Sequence, residues 1–367
     1  MTYDVTCAVT YDIAIVGAGI AGASLAAAIG DAARVLLIEA EDQPGYHATG
    51  RSAAFWSETY GGPGIQPLTS ASEAGLRAHD ALAPLGSVHI GRAEDAGRID
   101  AFHAAFADTS VTLEPVDPAA HVPGLRDDWT LGVLEPSCAY IDVAALHGAY
   151  LAEARRAGAD LVTRAGLTGA TRDDGLWTLQ TRAGPHRARV LVDAAGAWAD
   201  GVAAQAGARP IGIAPYRRTM VQLRTDPAAP PAMPHVSDIA GRFYFKPEAG
   251  GKLWLSPHDE TPVAPSDVAP EDIDVAIAID RVDGVVDWRV AAVERRWAGL
   301  RSFAPDRLPV YGFDAHVSGF FWCAGQGGFG IQTAPAAAAL AASLVLERSL
   351  PDWLAEVDPD RYAPTRF

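Results

Sequence analysis

Residues 11–39 constrain this chain more than any other stretch. They read Tyr11-Asp-Ile-Ala-Ile-Val-Gly-Ala-Gly-Ile-Ala-Gly22, then a run of small residues, then Arg34-Val-Leu-Leu-Ile-Glu39. The pattern is a strand, a glycine turn, a helix and a second strand closing on an acid. Gly17 permits the tight turn, Gly19 lets the backbone approach a pyrophosphate, and Gly22 lets helix and strand pack closely. Ile20 and Ala21 open the helix, whose free N–H groups and positive dipole end suit phosphate. Glu39, followed by Ala40, stands where a carboxylate accepts both ribose hydroxyls. That acid disfavours a 2′-phosphorylated nucleotide and leaves FAD and NAD equally open.

A chain of 367 residues is long enough to bury a sizeable core and predicts two domains. The net charge of −16 would repel a phosphate backbone and excludes nonspecific nucleic-acid binding. Cys7, Cys138 and Cys323 are widely separated and form no CxxC pair, so a reducing, cytoplasmic compartment is expected, with neither disulfide nor metal site. The start, Met-Thr-Tyr-Asp-Val-Thr-Cys, lacks the basic and apolar regions of a signal peptide. The longest apolar run, Ala334–Leu346, is broken by Pro335 and Ser343 and is too short to span a bilayer. Peripheral membrane contact stays open.

Asp142 as N-cap, helical spacing over 142–158, arginines in the last turn and Gly158 beyond it predict a helix. Residues 159–193 alternate as strands and end in Asp193-Ala-Ala-Gly-Ala-Trp198, a second place for close approach to a cofactor. Strands are expected at Met220–Leu223, Phe243–Phe245, Lys252–Leu255 and Val293–Trp297, interrupted by a helix near Pro270–Val282. A strand at 319–324, a glycine turn at 325–330 and a helix at 331–348 then repeat the opening pattern. The expected class is α/β: a Rossmann-like nucleotide domain from 1–85, 142–213 and 304–367. An inserted substrate domain from 86–141 and 214–303 is expected to be built on a mixed or antiparallel sheet.

Five segments, in order, resemble the D-amino-acid oxidase/glycine oxidase superfamily of FAD-dependent enzymes, most closely its catabolic D-arginine dehydrogenase group. They are the opening fingerprint; Gln43-Pro-Gly-Tyr-His-Ala-Thr-Gly-Arg-Ser-Ala-Ala54; Val190-Leu-Val-Asp-Ala-Ala-Gly-Ala-Trp198; Trp297-Ala-Gly-Leu-Arg-Ser-Phe303; and Gly325-Gln-Gly-Gly-Phe-Gly-Ile-Gln-Thr333. The resemblance implies FAD rather than NAD. It sets Thr49, Gly50, Arg51, Ser52, Ala53 and Ala54 along the pyrophosphate and flavin. Leu167 falls near the adenine, and Ala195, Gly196 and Trp198 under the cofactor. Gly325, Gly328, Gly330, Ile331, Gln332 and Thr333 fall at the flavin's pyrimidine end. A glycine turn opening a helix suits that end, because reduced flavin carries negative charge there. The segment Gly299–Pro305, where some relatives tether flavin, holds no cysteine, so the FAD is expected to be non-covalent.

The implied reaction moves a hydride from an amine's α-carbon to flavin, and the protein's task is to hold the substrate carboxylate. A planar arginine fork suits that task. The resemblance places Arg301 and Arg218 at the carboxylate, with Arg217 a neighbouring competitor. Tyr244 closes the site, Tyr60 lies near the amine, and the Gly299 carbonyl accepts from it. Glu94 aligns with an acid that reads a cationic side chain. Phe55 replaces a family histidine, which makes the pocket more apolar. The expected activity is oxidative deamination of a D-amino acid, with an electron acceptor the sequence does not specify. The alternatives are a glycine/sarcosine-type amine oxidase, a 2-hydroxy-acid dehydrogenase, and a non-catalytic flavoprotein subunit. The hydroxy acid needs a general base, and no histidine falls in a segment assigned to the flavin face.

Overall fold

The computed structural model describes residues 9–367, so the N-terminal reading and Cys7 lie outside the described residues. Thr10–Val16 is the centre of an eight-stranded sheet. It pairs in parallel with Val35–Ile38 on one side and Gly184–Asp193 on the other, and Phe320–Ala324 extends the parallel set. These strands are apolar on both faces because both faces are covered. Ile13 and Ile15 pack on helices Ile20–Ile29, Val143–Arg156 and Ala334–Val345. Ala14 and Val16 face the opposite layer, with Trp177, Trp322 and helix Ala199–Gln205. The first helix is made of small residues because it must lie against its strand: a Cβ on Gly22 would come within 1.9 Å of the Gly17 carbonyl oxygen.

Facing this layer is a ten-stranded mixed sheet. Its spine is the antiparallel pair Ala214–Asp226 and Arg289–Phe303. Outward it continues through Lys252–Ser256, Tyr244–Glu248 and His235–Asp238 to Ser87–Gly91, Leu131–Glu135 and Glu114–Val116. The step from His235–Asp238 to Ser87–Gly91 is parallel. Helix Asp272–Asp283 covers one face and buries Val275, Ala278 and Val282. The fold is thus α/β with a Rossmann-like layer and a second, mixed-sheet layer.

Both spine strands run well past the short segments expected at 220–223 and 293–297. Pairing across their whole length satisfies their backbone despite the charges in Arg289-Val-Ala-Ala-Val-Glu-Arg-Arg. The helix expected at 331–348 begins only at Ala334, since residues 325–333 stay in the turn. Helix Gln66–Ala78 was not anticipated. It is rich in serine and threonine, and its Ser72 and Thr69 hydroxyls bond back to the Leu68 and Ile65 carbonyls. Asp142 caps its helix as expected, accepting from Ala145 N–H at 2.9 Å. No helix among the described residues is long and apolar enough to cross a membrane.

Candidate active site

A cavity of about 500 Å³ runs between the two sheets. Gly17, Gly19, Ile20 and Ala21 line one end, with Glu39 and Ala40 beside them. Gly17 has φ +102°, and a Cβ there would meet the Ala194 carbonyl oxygen at 2.4 Å. Glu39 is buried; its Oε2 accepts from Ala18 N–H and its Oε1 from Glu41 N–H, both at 3.0 Å. Each oxygen keeps a lone pair for a ribose hydroxyl. His147 supports the turn from behind by donating to the Ala18 carbonyl at 2.8 Å, and burial lowers its pKa so that it stays neutral. Leu167 and Arg182 close this end, and Ala195, Gly196 and Trp198 form the floor.

The segment 49–54 runs along the wall through Thr49, Arg51, Ser52 and Ala53, whereas Gly50 and Ala54 are set back from it. Thr49 does not offer its hydroxyl oxygen to the cavity alone, because that oxygen accepts from Ile20 N–H at 3.0 Å. This bond pins the segment to the helix N-terminus. Arg51 turns its guanidinium to Asp267 and to the carbonyls of Val268 (3.0 Å) and Ala298 (3.3 Å). His47, next to this segment, lines the wall and pairs with Glu41 at 2.9 Å.

The other end is built by the spine strands. Tyr216 is paired with Arg301 and Arg218 with Gly299, so all four share one sheet face. Arg217 falls on the opposite face, where Glu271 and Asp274 of the covering helix hold it, which removes the competitor. Arg301 lines the cavity and donates to the Tyr60 phenol and, at 3.3 Å, to the Tyr244 phenol. No carboxylate among the described residues forms an ion pair with it. Arg218 is buried; it donates through Nε to the Asp259 carbonyl at 2.7 Å and through Nη2 to Glu260 at 3.2 Å. Its Nη1 is buried without a partner. Phe55 sits behind these groups, with ring centroids 5.2 Å from Tyr60 and 5.9 Å from Tyr244.

Gly328, Gly330 and Ile331 bring the late turn to this end. A Cβ on Gly328 would stand 2.9 Å from both Arg301 Nη1 and the Tyr60 oxygen. The two glycine turns, distant in sequence, therefore border one cavity. Gly22, Gly325, Gln332 and Thr333 lie behind the wall rather than on it. Gly22 is a packing residue, and Gly325 adopts φ +74° in the turn. Thr333 bonds back to the Phe329 carbonyl, and Gln332 serves the neighbouring segment 57–60. Glu94 is exposed before helix Ala96–Phe106, with its charge near Arg242, and does not reach the cavity. Among the described residues, the acids on the cavity wall are Glu39 and Glu41, both at the ribose end.

Two histidines near Tyr244 escaped the sequence reading, because pairing between remote strands brings them there. His235 is buried with its ring 4.3 Å from Phe55 and 5.5 Å from Tyr244, and burial pushes its pKa well down. His258, 5.7 Å from Tyr244, has φ +56° and bonds through Nδ1 to the Gly241 carbonyl. Burial, then the Arg218 and Arg301 charges, push it down to about 3. A histidine whose folded pKa is depressed refuses a proton that the unfolded chain accepts below about 6.5. Stability drawn from neutral His258 is therefore present above that pH and is lost as pH falls. The advantage of the wild type over His258→Gln in urea midpoint is expected to shrink between pH 7 and pH 5. A constant difference would contradict it.

A glycine turn with a buried acid at one end of the cavity, and an arginine without an ion-paired acid at the other, suit a dinucleotide-dependent oxidoreductase. The family profile described as FAD dependent oxidoreductase (DAO) matches residues 12–344. Over 246 residues the chain is 29% identical to the hydrogen cyanide synthase subunit HcnC of Pseudomonas aeruginosa, covering 64% of this chain and 55% of that protein. It is 28% identical over 255 residues to mitochondrial dimethylglycine dehydrogenase of Mus musculus, covering 63% of this chain and 29% of that one. Thus the matched region spans about half of the first relative and under a third of the second. The fold superposes on glycine oxidase from Geobacillus kaustophilus with a TM-score of 0.81 at 23% identity, covering 93% of this chain and 95% of that one. The chain belongs to the DAO family of FAD-dependent oxidoreductases, whose members bind FAD.

Proposed function

We propose that this protein oxidises a small D-amino acid bearing a single carboxylate, giving the imino acid that water converts to a 2-oxo acid and ammonia. The observation that carries the reading is Arg301: a guanidinium on the cavity wall, held by two phenols and met by no acid. It lacks a counter-ion, and a substrate carboxylate supplies one in two-point geometry. Arg218 is already balanced by Asp259 and Glu260, so this end carries charge for one carboxylate, not two.

Gly17–Ala21 and Glu39 would hold the dinucleotide, and the turn at 328–331 the flavin's pyrimidine end. When bound, FAD accepts the hydride lost from the substrate's α-carbon. The chain's own groups do the rest. Arg301 and the Tyr244 phenol fix the carboxylate, and the Gly299 carbonyl, two residues before Arg301 in the same strand, accepts from the amine. Phe55, Tyr60, Tyr244 and Met220 exclude water around the α-carbon. Among the described residues no acid on the cavity wall at this end is placed to balance a basic side chain, which points away from arginine-like substrates. An alcohol would need a base with a pKa near the working pH, and His258 at about 3 and buried His235 do not provide one.

A second reading, oxidation of glycine or an N-methylated glycine, is favoured by the similarity to dimethylglycine dehydrogenase and by an aromatic wall suited to N-methyl groups. Anaerobic mixing with D-amino acids, N-methyl amines and 2-hydroxy acids separates the readings by bleaching of the flavin band. D-alanine and related neutral D-amino acids are expected to bleach it fastest. Bleaching by hydroxy acids alone would overturn both amine readings.

The cofactor is expected to be non-covalent. Cys323 is buried in its strand with the thiol pushed up to about 12, and burial raises the Cys138 thiol well above its ordinary value, so neither supplies a thiolate. Acid precipitation should release the flavin into the supernatant. A yellow pellet would refute this.

A further inference from the structure

The Tyr60 phenol is one of two groups that hold Arg301, yet Tyr60 belongs to an irregular segment, residues 57–60, with no strand or helix to fix it. Two buried polar side chains fix it instead. On one side is Glu135, the last residue of strand Leu131–Glu135 and wholly inaccessible to solvent at 0% exposure. It accepts from the Ser57 hydroxyl at 2.8 Å, the Glu58 N–H at 2.7 Å and the Thr59 hydroxyl at 2.7 Å, donors from three consecutive residues. His89 stands 3.6 Å away. On the other side is Gln332, just past the late glycine turn. Its Oε1 accepts from Ser57 N–H at 3.3 Å, and its Nε2 donates to the Tyr60 carbonyl at 3.0 Å and to the Thr69 hydroxyl at 2.9 Å.

We propose that Glu135, with Gln332, is a positioning residue that sets the Tyr60 phenol against Arg301, so that carboxylate affinity is governed by an acid that never meets the substrate. The proposal rests on the reading of Arg301 as the carboxylate's partner. A carboxylate buried this deeply is costly and is kept only where donors satisfy it. What the acid supplies is direction. It gathers a backbone N–H and two hydroxyls that would otherwise be free to turn, and the next residue in the chain is Tyr60. Burial alone would raise the Glu135 carboxyl, but His89 beside it and the bonds from Thr59 and Ser57 outweigh that and hold it below its ordinary value. It therefore acts as an acceptor only. Gln332 ties the same segment to the turn at the cofactor end, so cradle and clamp share one polar network.

The test is a double-mutant cycle on the FAD-loaded protein: wild type, Glu135→Ala, Tyr60→Phe and the double variant, with Arg301→Ala as reference. Acetate binding is followed by perturbation of the flavin band, and kcat and KM are measured with the amine that bleaches it fastest. Glu135→Ala is expected to raise the acetate Kd and the KM about tenfold while kcat changes by less than about threefold. In the Tyr60→Phe background the same replacement should change Kd by less than about twofold, because its route of action is gone. Glu135→Gln, which keeps an acceptor for Glu58 N–H and lets both hydroxyls reverse, should recover most of the affinity. Equal effects in both backgrounds, an unchanged Kd, or a loss confined to kcat would overturn the proposal. Should Glu135→Ala not accumulate as a flavoprotein, Thr59→Val carries the same test. It removes one of the three donors, and a Kd within about twofold of wild type would count against the proposal. If Arg301→Ala and Tyr60→Phe themselves leave Kd and KM unmoved, the reading of Arg301 has failed; if they move both and Glu135→Ala does not, only the role of Glu135 has failed.

Discussion

Arg301→Ala is expected to give a folded, yellow protein that has lost nearly all turnover of carboxylate-bearing amines. Removing one partner of a desolvated charge pair costs about 2–5 kcal/mol, roughly 30- to 5,000-fold in kcat/KM. The cofactor should stay bound, because the cradle at Gly17–Ala21 and Glu39 lies at the other end of the cavity. Stability should hold or fall slightly, since Arg301 has no ion-paired acid to leave stranded, while Tyr60 and Tyr244 outweigh the cost of its burial and hold its pKa above the ordinary value. Steady-state kinetics, flavin content and thermal unfolding on one preparation check all three. Unchanged KM and kcat would remove Arg301 from substrate binding, and loss of flavin would mean that it supports the cradle.

Gly22→Ala is expected to yield colourless protein. The added methyl would lie 1.9 Å from the Gly17 carbonyl oxygen and 3.2 Å from Ile15 Cγ2. No side-chain rotation relieves a clash with backbone, so the helix must lift from its strand, and the N–H groups that would meet the pyrophosphate lift with it. Displacing a packed element in this way costs roughly 1–3 kcal/mol or more, enough to weaken FAD at least about tenfold. Gly148→Ala is the control. It lies within the helix Val143–Arg156 with nothing within 4 Å of its added Cβ, and it should stabilise by about 0.5–1 kcal/mol. Flavin content after desalting and thermal unfolding distinguish the outcomes. Full flavin retention by Gly22→Ala would mean that the first turn is not the cofactor's seat.

The parts legible in the sequence were those whose physics is local. The turn at Gly17–Gly22 needs a left-handed residue and two close approaches within six positions, and only a few sequences meet those demands. The cap at Asp142 is equally local. What the sequence hid depends on pairing at a distance. Arg217 and Arg218 are neighbours, and only the register opposite Leu300 and Gly299 sends one to the covering helix and the other to the cavity. His235 gains meaning from strand Ser87–Gly91, nearly 150 residues earlier, where Ser87 bonds its Nδ1 at 2.9 Å. Gln332 read as a cofactor residue because it follows the late glycine turn, but its side chain faces away from the cavity and into the segment 57–60. Glu94 was placed by alignment alone, and in the fold its strand ends before that acid can point inward.

The short strand Gln326–Gly327 carries one more consequence. It hydrogen-bonds to Ser302 and Phe303, so the turn that closes the nucleotide layer is stitched, backbone to backbone, into the opposite sheet just beyond Arg301. The two layers cannot gape like a shell around a hinge without tearing that seam. Entry and exit that leave this seam intact are confined to rearrangement of side chains and short loops at the rim.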